Sequence, residues 1–555
     1  MLSSPDRTQL DYALKRAADQ PDKLWLTQPM GGGQVRELTW GQAFDQAKRM
    51  AENIRARGFE PGSKIAIFSK NSAWWILADL AIWMAGHTSV PIYPTLPAGE
   101  ISYILEHSDT VMVFVGKLDG YEAMAPGIPA DLPRVVLPLA PSSAEGEQWD
   151  ALCGATEPIA TPHRPALEDL ATIVYTSGST GKPKGVMLTF EAMTVAALGV
   201  SERLSVVPTD RMLSYLPLAH VFERWVVETA SLVIGTHLFF AESLDTFVAD
   251  LNRARPTLFV SVPRLWLKFQ QGVSAKLPPA KLKRLLKIPI IRGIIRKKVL
   301  SGLGLDQVRF AGSGSAPIPA ELIHWYRDLG LELLEGYGMS ENFCYSHVTR
   351  PGRVKVGFVG ETYPGVECKL SDEGEILIKS PAMMKGYYKR PEATAETFTD
   401  DGYLRTGDRG EIDREGRLRI TGRTKELFKT SKGKYVAPAP IENSILTQDD
   451  VEVACVSGSG LQSAYAMVLL GEASRAKLGS DKARIDAELR AHLTAVNQEL
   501  AHHEKLACFV VIPDEWTIES GLLTPTMKMK RNAIEDRYGS KAQGWLDEKQ
   551  PVVWA

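Results

Sequence analysis

The sequence of 555 residues has few cysteines and no strong excess of charge of either sign. Its five cysteines are far apart in the chain and form no Cys-x-x-Cys pair, which argues against a disulfide framework and against a structural zinc site. The formal net charge of −2 gives no electrostatic reason to expect a nucleic-acid partner. These absences predict a protein of a reducing, cytoplasmic compartment.

Long apolar segments are also missing. The first ten residues, MLSSPDRTQL, lack the apolar region of a signal peptide. The most apolar helical segment, Ala73–Gly86, contains Asp79 and is shorter than the roughly 20 residues that span a bilayer. We therefore expect a buried helix there, within a globular chain.

Short apolar runs alternate with helical patterns in the first half of the chain, which predicts an α/β architecture with parallel strands. The expected order is strand Lys64–Ser69, helix Trp74–Ala85, strand Ser89–Pro94, helix Glu100–Ser108 and strand Val111–Gly116. After about residue 350, short strands joined by Gly and Asp turns predict a β-rich subdomain.

A small α+β pattern occupies the rest of the chain. The charged, turn-rich stretch Thr421–Pro438 separates it from the β-rich part. We therefore place a large N-terminal domain at residues 1–422 and a small mobile C-terminal domain at 423–555, with a hinge near Lys425.

The stretch Tyr175–Gly185, YTSGSTGKPKG, concentrates glycine, hydroxyl groups and lysine directly after the apolar run LATIV. It does not fit the Walker A loop, because Pro183 follows Lys182 where that motif needs Ser or Thr. It does not fit the dinucleotide fingerprint either, because its glycines are spaced three and four residues apart. Backbone amides, hydroxyl groups and the Lys184 ammonium can nevertheless bind phosphate oxygens.

This stretch resembles the phosphate-binding signature of the adenylate-forming superfamily, which includes acyl-CoA synthetases, luciferases and nonribosomal-peptide adenylation domains. Other segments resemble the family's further motifs, in the family's order and over nearly the whole chain. They are LLEGYGMSE (Leu333–Glu341), YLRTGD (Tyr403–Asp408), GRTKELFKTSKGKYVAP (Gly422–Pro438) and TPTMKMKR (Thr524–Arg531). In addition, LPLAHVFERW (Leu216–Trp225) is similar to a segment of long- and medium-chain fatty acyl-CoA synthetases.

The resemblance implies a reaction in two halves. ATP activates a fatty acid to an acyl-adenylate with release of pyrophosphate, and coenzyme A then takes the acyl group, with Mg²⁺ as the metal. Two alternatives stay open at this stage. The acyl group could go to a carrier protein instead, or the chain could be a catalytically silent nucleotide-binding relative.

The resemblance also implies roles for individual residues, although Glu341, Tyr337, Asp408 and His220, each taken alone, would more often be structural. The implied catalytic residues are Lys528, Lys184, His220 and Glu341, with Lys530 as a competitor for Lys528. Glu341 and Thr176 are the implied magnesium ligands. The implied nucleotide and coenzyme A contacts are Thr176, Ser177, Gly178, Ser179, Thr180, Gly181, Lys184, Gly312, Ser313, Gly314, Glu335, Gly336, Tyr337, Gly338, Met339, Ser340, Asp408, Ile420, Arg423, Lys429 and Gly433.

One further feature is independent of the resemblance. Between Leu251 and Leu305 there are thirteen Lys and Arg residues and no Asp or Glu, and in 264–298 the bases interleave with Leu and Ile. Such a stretch is typical of peripheral contact with the inner face of an anionic membrane. It also fits a solvated basic face that packs on the core through its apolar side. Self-association into a homodimer stays open.

Overall fold

The computed structural model describes residues 5–176, 182–518, 520–524 and 528–555. Its largest sheet runs, from one edge to the other, through Gly386–Tyr387, Lys184–Thr189, Leu170–Thr176, Thr88–Ile92, Lys64–Phe68, Thr110–Val115, Arg134–Val136 and Glu147–Gln148. The strands from Leu170–Thr176 to Glu147–Gln148 are parallel, which confirms the predicted α/β alternation. The predicted helix around Asp79 forms as Ala73–Met84 and is buried along its whole length.

Three further sheets complete the N-terminal part. One contains Arg211–Ser214, His237–Phe240, Leu24–Gly31 and Gln34–Thr39. The next contains Leu258–Ser261, Phe310–Ser313, Leu333–Tyr337, His347–Val348 and Glu361–Thr362. The third is the predicted β-rich unit, an antiparallel sheet of Glu367–Leu370, Glu375–Lys379, Leu404–Ile412 and Leu418–Arg423.

Helices cover the faces of these sheets. They are Gln9–Asp19, Trp40–Ala56, Ala73–Met84, Ala98–His107, Tyr121–Met124, Trp149–Ala155, Phe190–Leu204, Val221–Glu223, Ala230–Ile234, Phe247–Ala254, Pro263–Lys276, Pro279–Leu286, Pro289–Gly302, Ala320–Asp328 and Pro391–Thr397. Short 3₁₀ turns lie at Ala125–Gly127, Ser340–Asn342 and Thr424–Glu426.

The C-terminal part has hydrophobic cores of its own, built around the sheet Val451–Ser457, Ala464–Leu470, Leu506–Val511 and Val552–Trp554. A small hairpin, Phe428–Lys429 with Tyr435–Val436, precedes it. Its helices are Pro438–Ile445, Glu472–Ala476, Leu478–Glu499, Arg531–Tyr538 and Ala542–Asp547, with a 3₁₀ turn at Gly539–Lys541. The predicted small α+β domain is therefore present.

A buried ion cluster ties the largest sheet to the helices above it. Arg224 forms an ion pair with Asp79, and its Nε lies 3.1 Å from Glu228 Oε2, all three side chains being fully buried. The same guanidinium donates to Thr172 Oγ1 at 2.6 Å and to Ser89 Oγ at 3.0 Å. Burial and the charge of Asp79 raise the pKa of Glu228 far above its usual range, which favours the neutral form of Glu228 beside the Arg224–Asp79 pair.

The helical segment that begins at this arginine differs from a regular α-helix. Residues Arg224–Thr229 form π turns, and an α-helix follows at Ala230–Ile234. The Thr229 hydroxyl donates to the Arg224 carbonyl, five residues earlier, at 2.9 Å, which supports the wider turn. Widened turns of this kind are frequent near functional sites.

Candidate active site

The predicted phosphate loop joins two antiparallel strands of the largest sheet. Thr176 and Lys184 lie opposite each other at its base, and Tyr175 lies opposite Gly185. A Cβ atom on Gly185 would come within 2.7 Å of the Ile173 side chain, so the close packing of the two strands requires glycine. The predicted contacts Ser177, Gly178, Ser179, Thr180 and Gly181 lie outside the described residues.

Glu341 and Lys184 meet at one tyrosine. Glu341 lies in the 3₁₀ turn Ser340–Asn342, and the Tyr387 hydroxyl donates to its Oε1 at 2.7 Å. The Lys184 ammonium lies 4.8 Å from the centre of the same tyrosine ring. The Glu341 carboxylate and the Lys184 ammonium, more than 150 positions apart in the sequence, thus both contact Tyr387 beside the phosphate loop.

The described residues contain no cluster of three or more His, Cys, Asp or Glu side chains that could enclose a metal ion. Magnesium does not need such a cluster, because it is usually held by one or two carboxylates, waters and the phosphates of a substrate. Glu341 supplies one carboxylate, and its Oε2 receives no hydrogen bond from the described part of the chain. Glu341 can therefore bind Mg²⁺ that is also coordinated by the phosphates of ATP.

Asp408 forms the next part of the site. It is buried, and it lies opposite Arg423 in the antiparallel pair of strands. The Tyr337 hydroxyl donates to its Oδ2 at 2.7 Å, and Arg423 Nε donates to its Oδ1 at 2.9 Å. A carboxylate offers about four acceptor positions, so Asp408 keeps acceptors for a pair of hydroxyl groups such as those of a ribose.

Three buried polar side chains form a row across adjacent strands. Ser313 pairs with Glu335, and the Thr349 amide donates to the Glu335 carbonyl at 2.8 Å. Ser313 Oγ, Glu335 Oε2 and Thr349 Oγ1 have no hydrogen-bond partner among the described residues. Burial raises the pKa of Glu335 to about 8, so this side chain is largely neutral at pH 7 and can both donate and accept.

Buried polar atoms without partners are costly, and a ligand with donors and acceptors would satisfy them. A purine base is such a ligand, so the row fits the nucleotide that the sequence motifs imply. The predicted contacts around it occupy the same strands and the turn that follows them. These are Gly312, Gly314, Gly336, Gly338, Met339 and Ser340. At Gly338, a Cβ atom would collide with the Cys344 backbone.

Lys528 comes from the C-terminal part and enters this cleft. Water reaches its side chain, yet the surrounding protein lowers its pKa, first by desolvation and then through the charge of Arg423. Asp408 and Cys344 act in the opposite direction. Lys530, the competing lysine, instead begins the helix Arg531–Tyr538 and donates its backbone amide to the Leu522 carbonyl at 2.8 Å.

His220 faces the same lysine. Burial lowers the pKa of His220 to about 3, and the positive charge of Lys528 contributes, so the ring is neutral at physiological pH. Its Nδ1 accepts the Phe222 amide at 3.1 Å. The neutral ring therefore carries its proton on Nε2, which can donate to an anionic group.

The segment before His220 is fixed by residues that the motifs did not point to. Asn71 accepts the Leu218 amide at 3.0 Å and donates to the Leu216 carbonyl at 2.6 Å. Glu223 accepts the Tyr215 amide at 2.9 Å, and burial raises its pKa to about 8. Asn71 lies outside the segments that carry the family resemblance, and its partners are 147 and 145 positions away. Glu223 belongs to the segment Leu216–Trp225, but the resemblance assigned it no role.

The other predicted residues lie at the edge of the site or away from it. Ile420 packs against the large N-terminal core. Lys429 and Gly433 belong to the exposed hairpin, where Gly433 has a φ of +76° and its amide donates to the Thr430 carbonyl at 2.9 Å. Among the described residues, no hydrogen bond or ion pair joins either of them to the cleft. Trp225 is buried against Tyr345 and Tyr363.

Comparison with known sequences agrees with this geometry. The family profile described as AMP-binding enzyme matches residues 14–388, and the profile of the AMP-binding enzyme C-terminal domain matches residues 426–548. The chain belongs to the AMP-binding enzyme family.

This AMP-binding enzyme has curated relatives over almost its full length. It is 30% identical to the long-chain-fatty-acid–CoA ligase FadD15 of Mycobacterium tuberculosis, covering 94% of each chain. It is 29% identical to the human long-chain-fatty-acid–CoA ligase 1, covering 91% of this chain and 81% of that protein.

Solved structures show the same fold, a large N-terminal domain with a separate small C-terminal domain. The anthranilate CoA ligase AuaEII in complex with anthranoyl-AMP superposes with a TM-score of 0.78 at 21% identity, covering 97% of this chain and 98% of that one. The adenylation domain of a carboxylate reductase from Mycobacterium chelonae superposes with a TM-score of 0.82 at 23% identity, covering 97% of this chain and 91% of that one.

Proposed function

We propose that this AMP-binding enzyme is a fatty acid–CoA ligase that forms AMP. It activates a fatty acid with ATP, releases pyrophosphate from the acyl-adenylate step and transfers the acyl group to coenzyme A. The observation that carries the proposal is the position of Lys528, which enters from the C-terminal part beside His220, Asp408 and Arg423. The long-chain-fatty-acid–CoA ligases among its full-length relatives support the choice of acid.

Crowded negative charge is the main barrier to this reaction, because a carboxylate must approach a phosphate. Lys184 and the Thr176 hydroxyl at the base of the loop face the triphosphate, and Asp408 accepts the ribose hydroxyls. Lys528 places its ammonium between the attacking carboxylate and the α-phosphate. His220 donates from Nε2 to the carboxylate and orients it.

Glu341 would hold Mg²⁺ through Oε2, the oxygen that Tyr387 leaves open, and Thr176 is the second candidate ligand. The metal, when bound, neutralises part of the charge on the triphosphate. Glu335, Ser313 and Thr349 satisfy the polar edge of the base, and Tyr337 holds Asp408 in place through its hydroxyl. Lys429 and Gly433, on the exposed hairpin, serve coenzyme A in the second half-reaction.

We propose a domain boundary between residues 422 and 423, with the hinge at Lys425. Lys425 is exposed in the short 3₁₀ turn Thr424–Glu426, which follows the last strand of the β-rich sheet. An ion pair between Arg264 and Glu452 connects the two parts in the orientation that places Lys528 in the cleft. Rotation at Lys425 would withdraw Lys528 and bring the exposed hairpin toward the cleft.

The proposed function predicts pyrophosphate release that depends on a fatty acid, and thioester formation that depends on coenzyme A. The experiment measures pyrophosphate across fatty acids of increasing chain length, with anthranilate as an aromatic acid, and follows thioesters by mass spectrometry. We expect release with long-chain acids and a matching acyl-CoA product. Release without any thioester would favour a carrier protein as acceptor, and no release with any carboxylate would favour a catalytically silent relative.

A second proposal concerns the place where the enzyme works: the cytoplasm, with its basic helices in contact with an anionic lipid surface. Among the described residues, no helix is long and apolar enough to cross a bilayer. Stretch 264–298 forms parts of three helices, and the last of these, Pro289–Gly302, has no buried residue. Ile290 and Ile294, one turn apart on it, are 84% and 63% exposed.

The positive charge of these three helices is complementary to an anionic membrane. Arg253, Arg255 and Arg264 have acidic partners. In the part of the chain that the structure describes, no ion pair is formed by Lys268, Lys276, Lys281, Lys283, Arg284, Lys287, Arg292, Arg296, Lys297 or Lys298. Exposed isoleucines flanked by unpaired cations favour insertion at a lipid headgroup layer over packing on the protein core.

Reversing three of these charges should release the protein from anionic vesicles. We expect K283E/R284E/K287E to bind phosphatidylglycerol vesicles at least about 100-fold more weakly than the parent, since each lost cation contributes about 1 kcal/mol at such a surface and the new carboxylates are repelled by it. Flotation at low salt measures this binding. The control K505E/K541E/K549E makes the same charge change on exposed lysines of the C-terminal part. Equal recovery of the parent and the first variant, or equal loss in the control, would contradict lipid contact through these helices.

A further inference from the structure

The segment around Tyr387 connects the two halves of the phosphate site. It forms the edge strand Gly386–Tyr387, which pairs with the strand that begins at Lys184. Just before it, the Met384 amide donates to the Glu341 carbonyl at 2.7 Å. One short segment is therefore bound both to the strand that carries the cation and to the turn that carries the carboxylate.

The backbone of Tyr387 is held firmly in this place. Its amide donates to Thr394 Oγ1 at 2.9 Å, and the next amide, that of Tyr388, donates to the Gly185 carbonyl at 2.8 Å. The Tyr387 side chain is 7% exposed. Because backbone and ring are fixed, the hydroxyl has a defined direction, and it points at Glu341.

Glu341 has two carboxylate oxygens with different surroundings. Oε1 accepts the Tyr387 hydroxyl, while Oε2 receives no hydrogen bond from the described residues. A hydroxyl that holds one oxygen fixes the plane of the carboxylate and leaves the other oxygen for a metal. Partners of this kind, one shell outside the metal, typically change its affinity by 10- to 100-fold when they are removed.

The ring of Tyr387 has a second partner. The Lys184 ammonium lies 4.8 Å from its centre, within the range of a cation–π contact. The ring thus limits where the ammonium can go without consuming any of its three N–H donors, which stay available for phosphate oxygens.

We propose that Tyr387 is a positioning residue for magnesium–ATP: its hydroxyl orients Glu341 for the metal, and its ring orients Lys184 for the phosphates. This inference rests on the proposed function, in which Glu341 is the metal ligand. It adds a residue from outside the motifs that carry the family resemblance, and it assigns different tasks to the two parts of one side chain.

The two tasks can be separated by substitution. Tyr387→Phe removes the hydroxyl and keeps the ring, so it should weaken only the contribution of the metal. We expect the ratio of ATP affinity with Mg²⁺ to ATP affinity in EDTA to fall about tenfold, with the affinity in EDTA unchanged. Tyr387→Leu should lower the affinity in EDTA as well, by about 3- to 10-fold, because the cation–π contact is also lost.

Isothermal titration of ATP into the full-length protein without fatty acid measures both affinities independently of turnover. Tyr388→Phe is the matched control, because it removes the hydroxyl of the neighbouring tyrosine, which binds Asp109 at 2.8 Å. We expect Tyr388→Phe to leave both affinities unchanged. Circular dichroism and the melting temperature verify that each variant is folded.

Glu341→Gln separates this inference from the proposed function. If Glu341→Gln loses the magnesium effect and Tyr387→Phe keeps it, the inference is wrong and the metal role of Glu341 stands. If Glu341→Gln keeps the parent magnesium effect, both are wrong. A Tyr387→Phe variant whose ATP affinity falls equally with Mg²⁺ and in EDTA would also overturn the inference, because the hydroxyl would then have no specific link to the metal.

Discussion

Replacing Lys528 by alanine should slow acyl-adenylate formation by about 10²–10³-fold, the scale of losing one group that stabilises a developing oxyanion. Lys528 is the lysine that the structure places beside His220 and Asp408, and alanine removes its ammonium without filling the cleft. Single-turnover formation of acyl-adenylate from ATP and a fatty acid measures the effect. Thioester formation from a supplied acyl-adenylate should stay near the parent rate, because that step follows release of pyrophosphate.

Lys530→Ala is the control for this prediction. Lys530 lies two residues away, and the structure uses its backbone to begin a helix and to bind Leu522. We expect Lys530→Ala to adenylate at nearly the parent rate. An equal loss of adenylation rate in both variants would show that the segment Thr524–Arg531 as a whole is disturbed. An unchanged rate in Lys528→Ala would exclude this lysine from the first half-reaction.

Replacing Arg224 by alanine should lower the free energy of unfolding by about 3–5 kcal/mol, the scale of breaking a buried ion pair by removing one partner. Asp79 would remain fully buried beside Glu228 without its counter-ion. Urea denaturation followed by tryptophan fluorescence is suited to the measurement, because the Arg224 guanidinium lies 5.3 Å from the ring of Trp75 and 5.7 Å from that of Trp83.

Two further variants test the cause of this loss. Replacing the whole cluster, with Asp79→Leu, Arg224→Met and Glu228→Leu together, should recover most of the stability, because no buried charge is then left without a partner. Arg55→Ala breaks the exposed pair with Glu52, where the arginine side chain is 62% exposed, and should cost less than about 1 kcal/mol. A change below about 1 kcal/mol in Arg224→Ala would contradict the structural role of the buried pair.

The sequence was a good guide to elements whose pattern is local. The strand Lys64–Phe68 and the helix Ala73–Met84 were predicted almost to the residue, since each is a continuous apolar run bounded by polar or turn residues. The π turns at Arg224–Thr229 were not predicted, because they depend on partners from other parts of the chain, Asp79 and Thr172 among them.

In the candidate site too, residues within local motifs were predicted and residues defined by distant contacts were missed. Asp408 and Arg423 belong to motifs, and the structure joins them directly. Tyr387 was missed because its two partners lie 46 and 203 positions earlier in the chain, and no periodic pattern connects residues across such distances. Thr349 was missed for a similar reason, since an isolated threonine just after a short strand gives no sign that its hydroxyl lacks a partner.

The ion pair between Arg264 and Glu452 connects the basic helices to the C-terminal part. Arg264 lies in the first of them, Pro263–Lys276, and its partner lies in the C-terminal sheet. The two side chains are 39% and 26% exposed, so dissolved ions reach the contact and weaken it. If the C-terminal part rotates as proposed, higher ionic strength should shorten the time that Lys528 spends in the cleft, and a lipid headgroup competing for Arg264 should do the same.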